Sequence, residues 1–340
     1  MDRKGITCGG NFIIDHVKLV DLWPDEGMLS IILEEHRATG GCAQNVLIDL
    51  ARLQAGIPLA GIGLVGDDED GSFILEQMQA HGVDGSRIQT LKDVPTSYTD
   101  VITVEKTGNR TFFHNKGANN HLDAEHFDFS RLDAKLFHAG YILLLDALAG
   151  PDPEHGTRMA RVLKAAREAG CKTSVDAVSE SGYRFERLVL PALEYTDYLI
   201  VNEIEAGRTA GYEIREKSGG LNLRSLRDTL NVLLGKGCVE LVCIHFPEGA
   251  YGSTRGGEPL FIPSHRMPPG SIKGTVGAGD AFCAGMLFGL HQERGLERSM
   301  RLANAMAGVC LEGRDASGGM RPLEYVLRFM DNTPLRDPIM

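Results

Sequence analysis

The sequence predicts an α/β fold of three layers, in which helices cover both faces of a mostly parallel sheet and a small β-sheet lid is added. From about residue 136 onward, short apolar runs alternate with segments whose apolar residues recur at helical spacing. This alternation is typical of a parallel sheet between two layers of helices. Before that point, two segments alternate polar and apolar residues around turn residues, which is typical of antiparallel hairpins.

The two hairpin segments do not fit a parallel sheet that is covered on both faces. We therefore assign residues 15–39 and 96–117 to the lid, within a single domain that spans residues 1–340. Ligands of open α/β sheets bind where the parallel strands end, and the lid is expected to lie over that edge. Because two short hairpins cannot bury two faces unaided, the exposed apolar face of the lid is also expected to form a homodimer.

The elements of the first part of the chain are separated by turn signals. The sequences WPDEG and KTGN are the expected hairpin turns, and Gly40–Gly41 ends the first hairpin. A first buried strand begins at Gly5 and is expected to end near Asp15. The other expected strands are Val17–Leu22, Met28–Glu35, Ile57–Val65, Tyr98–Val104 and Arg110–His114, and the expected helices are Ala43–Leu53 and Gly71–His81.

The second part of the chain supplies most of the predicted parallel sheet. Its apolar runs are short and carry few charges, which favours buried strands. The expected strands are Leu136–Ala139, Thr173–Val175, Tyr198–Val201 and Leu241–His245, and the expected helices include Glu154–Ala169 and Leu223–Leu234.

Composition and charge exclude several classes of function. A net charge of −11 over 340 residues argues against nucleic acid or an anionic membrane as a partner. The seven cysteines form no CxxC pair, which favours free thiols in a reducing compartment over a disulfide framework or a zinc site. The start of the chain lacks the apolar core of a signal peptide, and no window approaches 18 uncharged apolar residues. A cytoplasmic enzyme is expected.

One glycine-rich stretch, Gly274–Leu290, predicts a loop that enters a helix and binds an anion. Glycines leave room for backbone amides to approach a ligand, and the first amides of a helix have no internal partner. We expect the amides of Gly277, Ala278 and Gly279 to hold the charge on a transferring phosphoryl group. Asp280 follows them directly and is expected to take a proton from a substrate hydroxyl.

An alternative interpretation of this stretch is purely structural. Asp280 would then be a first-turn carboxylate that favours the helix dipole, and the glycines would serve close packing. The stretch is not a Walker A loop, because no Lys-Ser or Lys-Thr pair closes the glycine run.

Two stretches resemble the signatures of one enzyme family. The sequence GTVGAGDAF, Gly274–Phe282, is similar to the C-terminal signature of the ribokinase-type carbohydrate kinases, the PfkB family. The sequence GGCAQNVLIDLARLQ, Gly40–Gln54, resembles the N-terminal signature of the same family. Their order and separation match the family, and the resemblance extends from Gly9 to about Gly318. It implies a ribokinase-like fold and an ATP-dependent, Mg²⁺-requiring kinase that phosphorylates a hydroxyl of a small carbohydrate.

The resemblance implies that Asp15, Gly40, Gly41 and Asn45 bind the sugar. A carboxylate such as that of Asp15 can accept hydrogen bonds from two hydroxyls, and the Asn45 amide offers both a donor and an acceptor. The two glycines let the backbone approach the sugar. The alternatives are a loop aspartate that starts the hairpin and a helix N-terminus with a spare asparagine.

The resemblance also implies a site for the nucleotide and its metal. Asn202 and Glu205 match the Asn-x-x-Glu motif of the family, and Glu205 is expected to hold Mg²⁺ through water. The alternative is helix-start chemistry, with Asn202 as the N-cap. The resemblance places Asn304 in the region that lines the adenine pocket in relatives. The alternative is that Asn304 is a polar residue on a packed helix whose hydrogen bonds are satisfied within the protein. The further implied nucleotide contacts are Gly249, Thr275, Gly277, Gly279 and Asn304.

The sequence departs from the family pattern at three places. Gly274 replaces an aspartate that neighbours a monovalent-cation site in relatives, so we expect little response to potassium. Ile244 and Phe246 take the places of a Thr-x-Gly motif that lies against the nucleotide phosphates. Around Gly140–Tyr141 no acidic residue offers the substrate contact that ribokinase has, which argues mildly against ribose.

Other functions stay open at this stage. A nucleoside kinase or phosphosugar kinase of the same family, or a non-catalytic sugar- or nucleotide-binding protein on the same fold, would share most of these motifs. The sequence GIGLVG, Gly61–Gly66, formally matches a dinucleotide-binding motif. Four acidic residues follow it where a pyrophosphate would need a helix N-terminus, so we do not favour an oxidoreductase.

Overall fold

The computed structural model describes residues 3–179 and 184–339. Its strands, in chain order, are β1 (Gly5–Gly10), β2 (Ile13–Val20), β3 (Ile32–Gly40), β4 (Leu59–Gly66), β5 (Asp84–Leu91), β6 (Tyr98–Val104), β7 (Arg110–Asn115), β8 (Ala134–Gly140), β9 (Pro151–Asp152), β10 (Gly156–Thr157), β11 (Lys172–Val175), β12 (Tyr198–Asn202), β13 (Leu241–Phe246), β14 (Gly249–Thr254) and β15 (Leu260–Pro263). Its α-helices are α1 (Cys42–Arg52), α2 (Glu69–Ala80), α3 (Arg158–Glu168), α4 (Phe185–Leu193), α5 (Glu203–Ala210), α6 (Leu223–Leu234), α7 (Ala278–His291), α8 (Leu296–Cys310) and α9 (Leu323–Asn332). None of the helices in these two ranges combines the length and the apolar character that a membrane span requires.

The main sheet has nine strands in the order β15-β14-β13-β12-β11-β8-β1-β4-β5. All strands from β13 to β5 run parallel to their neighbours. Only β14 and β15, at one edge, are antiparallel. The predicted mostly parallel sheet is confirmed.

Helices pack against both faces of this sheet. Along β13, Leu241 and Cys243 belong to a hydrophobic cluster that also contains residues of α1, α7 and α8, whereas Val242 and Ile244 belong to a cluster that contains residues of α3, α4 and α6. Successive side chains of a strand point to opposite faces, so the two clusters lie on opposite sides of the sheet. This confirms the three-layer α/β/α architecture.

A second sheet of four strands, in the order β3-β2-β6-β7, forms the lid. The strands β2 and β3 are antiparallel, as are β6 and β7, so each pair is a hairpin as predicted. The two hairpins join through the parallel pairing of β2 with β6, which brings Asp15 opposite Thr99.

The first strand is shorter than expected, and the chain turns between the two sheets. The prediction that β1 continues to Asp15 is wrong, since β1 ends at Gly10, whose φ is +137°. The side chain of Asn11 then donates to the carbonyl oxygens of Gly140 and Tyr141 at 3.3 and 3.2 Å. Asp15 therefore lies on β2, in the lid.

Other differences concern element ends and the sheet edges. The second strand of the first hairpin runs later than expected and includes Gly40, while α3 begins at Arg158, because Thr157 caps its N-terminus. The strand β5 gave no clear signal, because as an edge strand it buries only Ile88. The antiparallel strands β14 and β15 were also not predicted.

Candidate active site

The loop before α7 forms as the sequence predicts. Gly277 is the N-cap of this helix, with φ at +81°, and a Cβ at this position would lie 2.0 Å from the carbonyl oxygen of Ala316. No described side chain caps the helix, so its first amides remain available to a ligand. Gly274 is also packed closely, since a Cβ there would lie 2.8 Å from the oxygen of Gly313.

Asp280 lies in the first turn of α7, with 3% of its surface exposed. Its Oδ2 atom accepts a hydrogen bond from Nδ2 of Asn45 at 2.8 Å, and the Tyr141 hydroxyl donates to the same oxygen at 3.4 Å. The Oδ1 atom has no hydrogen-bond partner among the described residues. Burial raises the pKa of the Asp280 carboxyl, and the hydrogen bonds from its neighbours oppose this rise. One oxygen is thus held in place while the other is left for a ligand.

The N-terminus of α1 brings the first signature to the same place. Gly41 is the N-cap of α1, with φ at +88°, and Asn45 follows in the first turn. A Cβ at Gly40 would lie 2.7 Å from the Asp15 carboxylate, so a glycine is needed there to admit that side chain. Burial raises the pKa of Asp15 to about 7, and the charges of Asp280 and Asp315 add to this effect.

Asn202 and Glu205 combine the two interpretations that the sequence allowed. Asn202 Oδ1 accepts hydrogen bonds from the amides of Ile204 and Glu205 at 2.9 Å, and Glu205 Oε2 accepts one from the Asn202 amide at 3.2 Å. This is a complete capping box at the start of α5. Both side chains also line the same cavity as Asp280. Burial raises the pKa of Glu205 to about 7.

Two cavities meet at the glycine loop. The first, of about 740 Å³, lies between the lid and the main sheet. The second, of about 470 Å³, lies beyond the start of α7, and both include Asn202 and Thr275. The predicted site residues on the first cavity are Asp15, Gly41, Asn45, Asn202, Glu205, Thr275, Gly277 and Asp280, and those on the second are Asn202, Thr275, Ala278, Gly279 and Asn304.

Two of the predicted contact residues do not line either cavity. A third lines the second cavity, but its side-chain NH₂ group already donates hydrogen bonds within the protein. Gly249 is buried in β14, where a Cβ would lie 2.4 Å from the Ile262 oxygen, so we withdraw it as a nucleotide contact. Gly40 leaves space for the Asp15 carboxylate, and its contact with the sugar stays a prediction. Asn304 lines the second cavity, but its Nδ2 atom donates to the oxygens of Ile262 and Pro263 at 3.0 and 3.2 Å.

The sequence analysis missed several residues of the first cavity. Tyr141 follows β8 with φ at +50°, a conformation unusual for a residue other than glycine, and this directs its hydroxyl toward Asp280. Behind Asp280, the thiol of Cys42 donates to Oδ2 of Asp176 at 3.4 Å. Burial raises the pKa of the Cys42 thiol, so it is a neutral donor. On the lid side, Thr99, Arg110 and His114 line the cavity.

Comparison with known proteins agrees with this fold. A 5-dehydro-2-deoxygluconokinase from Shouchella clausii is 23% identical to the chain over 301 residues, which cover 86% of the chain and 88% of that protein. The Arabidopsis thaliana ribokinase solved with ribose and ATP superposes with a TM-score of 0.76 at 20% identity, covering 96% of the chain and 99% of the ribokinase. An E. coli structure titled as a ribokinase II with ATP and Mg²⁺ superposes with a TM-score of 0.73 at 19% identity, with coverage of 96% and 99%.

The family assignment depends on a match longer than either signature. Residues 3–321 match the family described as pfkB family carbohydrate kinase, which includes both signature stretches, the lid and the parallel sheet. The chain therefore belongs to the pfkB family of carbohydrate kinases and is an ATP-dependent sugar kinase.

Proposed function

We propose that this enzyme transfers the γ-phosphate of ATP to a hydroxyl of a small carbohydrate, with Asp280 as the general base. The observation that carries this proposal is the state of the Asp280 carboxylate, whose Oδ2 is fixed by Asn45 while Oδ1 has no partner among the described residues. A fixed carboxylate with one free oxygen can accept the proton of a substrate hydroxyl. Its raised pKa makes it a stronger base than an exposed aspartate.

The sugar would lie in the first cavity, between the lid and the end of α1. Asp15 would accept hydrogen bonds from two hydroxyls, Asn45 would bind a third polar group, and Gly41 would let the backbone approach. Holding the reacting hydroxyl beside Asp280 supplies the entropic part of catalysis. The place of Asp15 on β2 supports this proposal, because the lid then contributes directly to binding.

The phosphates of ATP would lie at the glycine loop. The amides of Gly277, Ala278 and Gly279 would hold the charge that develops on the transferring phosphoryl group. Thr275 and Asn202 line both cavities. They would therefore lie beside the phosphates, which would extend from one cavity into the other. The nucleoside would extend into the second cavity, toward Asn304.

The carboxylate of Glu205 fits a water-mediated contact with Mg²⁺. It is buried on the first cavity, and the groups that act most strongly on its pKa include no lysine or arginine that would compete with a cation. When bound, Mg²⁺ would neutralise phosphate charge. The protein's part is to orient the Glu205 carboxylate through the capping box with Asn202.

An assay of ADP release on a fixed panel of acceptors tests the proposed function. The panel contains the neutral sugars ribose and fructose, the acids gluconate and 5-dehydro-2-deoxygluconate, and the phosphates ribose 1-phosphate and fructose 1-phosphate. We expect Mg²⁺-dependent turnover with at least one of them. Binding of ATP and a sugar without any turnover would contradict the proposal and favour a non-catalytic binding protein.

Potassium is expected to have little effect on the rate. Gly274 offers no carboxylate where relatives have an aspartate, and the backbone of residues 313–314 fills the space that such a side chain would need. The measurement compares initial rates in potassium and in a bulky organic cation at equal ionic strength, with saturating Mg²⁺ and ATP. A several-fold rise with potassium alone would show that backbone oxygens form a cation site without this aspartate.

The lid is proposed to form a homodimer. Large apolar side chains on it are exposed, with Leu29 at 82% and Ile31 at 57% of their surface. The others are Leu22, Trp23, Met28, Ile32, Leu33 and Phe113, whereas Phe112, which is also exposed, lines the first cavity. We expect a dimer in sedimentation at micromolar concentration and a shift to monomer for Ile31→Glu, but not for Tyr212→Glu, an exposed position outside the lid. A wild-type monomer would contradict this prediction.

We also propose a cytoplasmic location. All seven cysteines are free, six of them buried, as expected in a reducing compartment. The net charge of −11 gives no reason to propose a nucleic acid or membrane partner.

A further inference from the structure

Arg110 is a cation on the first cavity that forms no ion pair or hydrogen bond with the described residues. It begins β7 in the lid and lines the first cavity. Its Nη1 atom is shielded from solvent and has no hydrogen-bond partner among the described residues. The other cations of the lid are either paired, as Lys18 is with Asp100, Arg37 with Asp70 and Lys116 with Asp146, or exposed to solvent, as Lys106 is. Arg110 therefore differs from them, because it is shielded from solvent and has no counter-ion within residues 3–179 and 184–339.

The carboxylates of the same cavity do not act as that counter-ion. Burial lowers the pKa of Arg110, and no carboxylate in the described part of the chain opposes this effect. The pKa of Asp15 is raised by burial and by Asp280 and Asp315, with no opposing contribution from Arg110. A desolvated charge without a partner destabilises a protein, so an unpaired guanidinium beside a ligand site indicates an anionic ligand.

The charges of the cavity lie on two different walls. Arg110, Phe112 and His114 alternate along β7 and all line the cavity, so they share one face of the lid. The Nδ1 atom of His114 is 3.0 Å from the Thr99 hydroxyl, which orients its ring. Asp280 and Glu205 lie on the opposite wall, in the first turns of α7 and α5. The carboxylate of Asp15 is on the lid, but in register with Thr99 and His114, four residues along β7 from Arg110. A ligand with its reacting hydroxyl at Asp280 and an anionic group at Arg110 would complement the charges on both walls.

We propose that the acceptor is an anionic carbohydrate, whose carboxylate or phosphate group is bound by the guanidinium of Arg110 while its reacting hydroxyl lies at Asp280. This inference rests on the proposed function and narrows its substrate class. A planar guanidinium can bind either anion through charge-assisted hydrogen bonds, and the Nη1 atom of Arg110 is a donor with no partner among the described residues. Neutral sugars would leave its charge unpaired.

The test compares the wild type with three variants, Arg110→Gln, Arg110→Lys and Lys106→Gln, on the acceptor panel defined above. Arg110→Gln removes the guanidinium and keeps a polar side chain. Lys106→Gln removes an equal charge from the same hairpin at an exposed position that does not line this cavity. In the wild type we expect the highest kcat/KM with a sugar acid or a sugar phosphate. Comparing these two groups of acceptors shows whether Arg110 binds a carboxylate or a phosphate.

Arg110→Gln is expected to lower kcat/KM for the anionic acceptor about 10- to 100-fold, mainly through KM, because a charge-assisted pair is lost. The neutral sugars should change less than threefold, and Lys106→Gln should behave as the wild type. Arg110→Lys should recover part of the loss. The unliganded Arg110→Gln protein should melt at the same temperature or higher, since the variant no longer buries an unpaired charge.

Several results would overturn the inference while leaving the kinase proposal intact. One is a wild-type preference for a neutral sugar that Arg110→Gln does not alter. Another is an increase in the KM for ATP alone, which would assign the guanidinium to the nucleotide phosphates. Calorimetry measures the binding of the same acceptors and does not depend on turnover. If no anionic acceptor binds, the inference is overturned as well. Anionic selectivity in binding without turnover would instead contradict only the kinase proposal.

Discussion

Asp280→Asn is expected to lower kcat by about 100- to 10,000-fold, the range usual for loss of a general base. The carboxamide keeps an oxygen that can accept the Asn45 hydrogen bond, so the local structure and the binding of both substrates should persist. It cannot accept a proton from the sugar hydroxyl at neutral pH. The measurement is steady-state turnover together with calorimetric affinities for ATP and the acceptor.

A matched control separates this effect from the removal of a buried charge. Asp49 is another buried carboxylate, on α1, and neither of its oxygens has a partner among the described residues. It does not line the first cavity. Asp49→Asn should keep turnover within a few-fold of the wild type. If Asp280→Asn retained more than a tenth of wild-type turnover, Asp280 would not be the general base.

Gly277→Ala is expected to lower kcat by about 100- to 1,000-fold, as does the loss of an amide that stabilises a transition-state charge. A Cβ at this position would lie 2.0 Å from the Ala316 oxygen, so the loop must move, and its amides move with it. The φ of +81° adds strain for any residue with a Cβ. Thermal unfolding should show a loss of about 1–3 kcal/mol alongside the kinetic defect.

Gly295→Ala tests whether backbone strain alone explains that defect. Gly295 is the N-cap of α8, with φ at +75°, and a Cβ there would meet no atom within 4 Å. The variant has similar backbone strain at a helix N-terminus, but it does not displace the glycine loop before α7. We expect a comparable or smaller loss of stability and near wild-type turnover. Equal kinetic defects in the two variants would argue against a specific role for the Gly277 amide.

The sequence by itself was sufficient wherever function depends on neighbours along the chain. The glycine loop before α7 is such a case, because the φ of Gly277 and the uncapped first amides of α7 are properties of a few consecutive residues. The capping box of Asn202 and Glu205 is local for the same reason. The alternation of strands and helices likewise predicts the layers, since the apolar residues of each strand indicate that the strand is buried.

The tertiary structure decided what depends on residues far apart in the chain. Asn45 and Asp280 are separated by 235 positions, and only the packing of α1 beside α7 makes their hydrogen bond. The sequence analysis kept Gly249 as a nucleotide contact, but the pairing of β14 with β15 buries it away from both cavities. Whether Arg110 has a partner was equally undecided, because pairing depends on every group that the fold brings near it. Local conformation follows from the order of residues, whereas charge compensation and access to a cavity are determined only when distant segments meet.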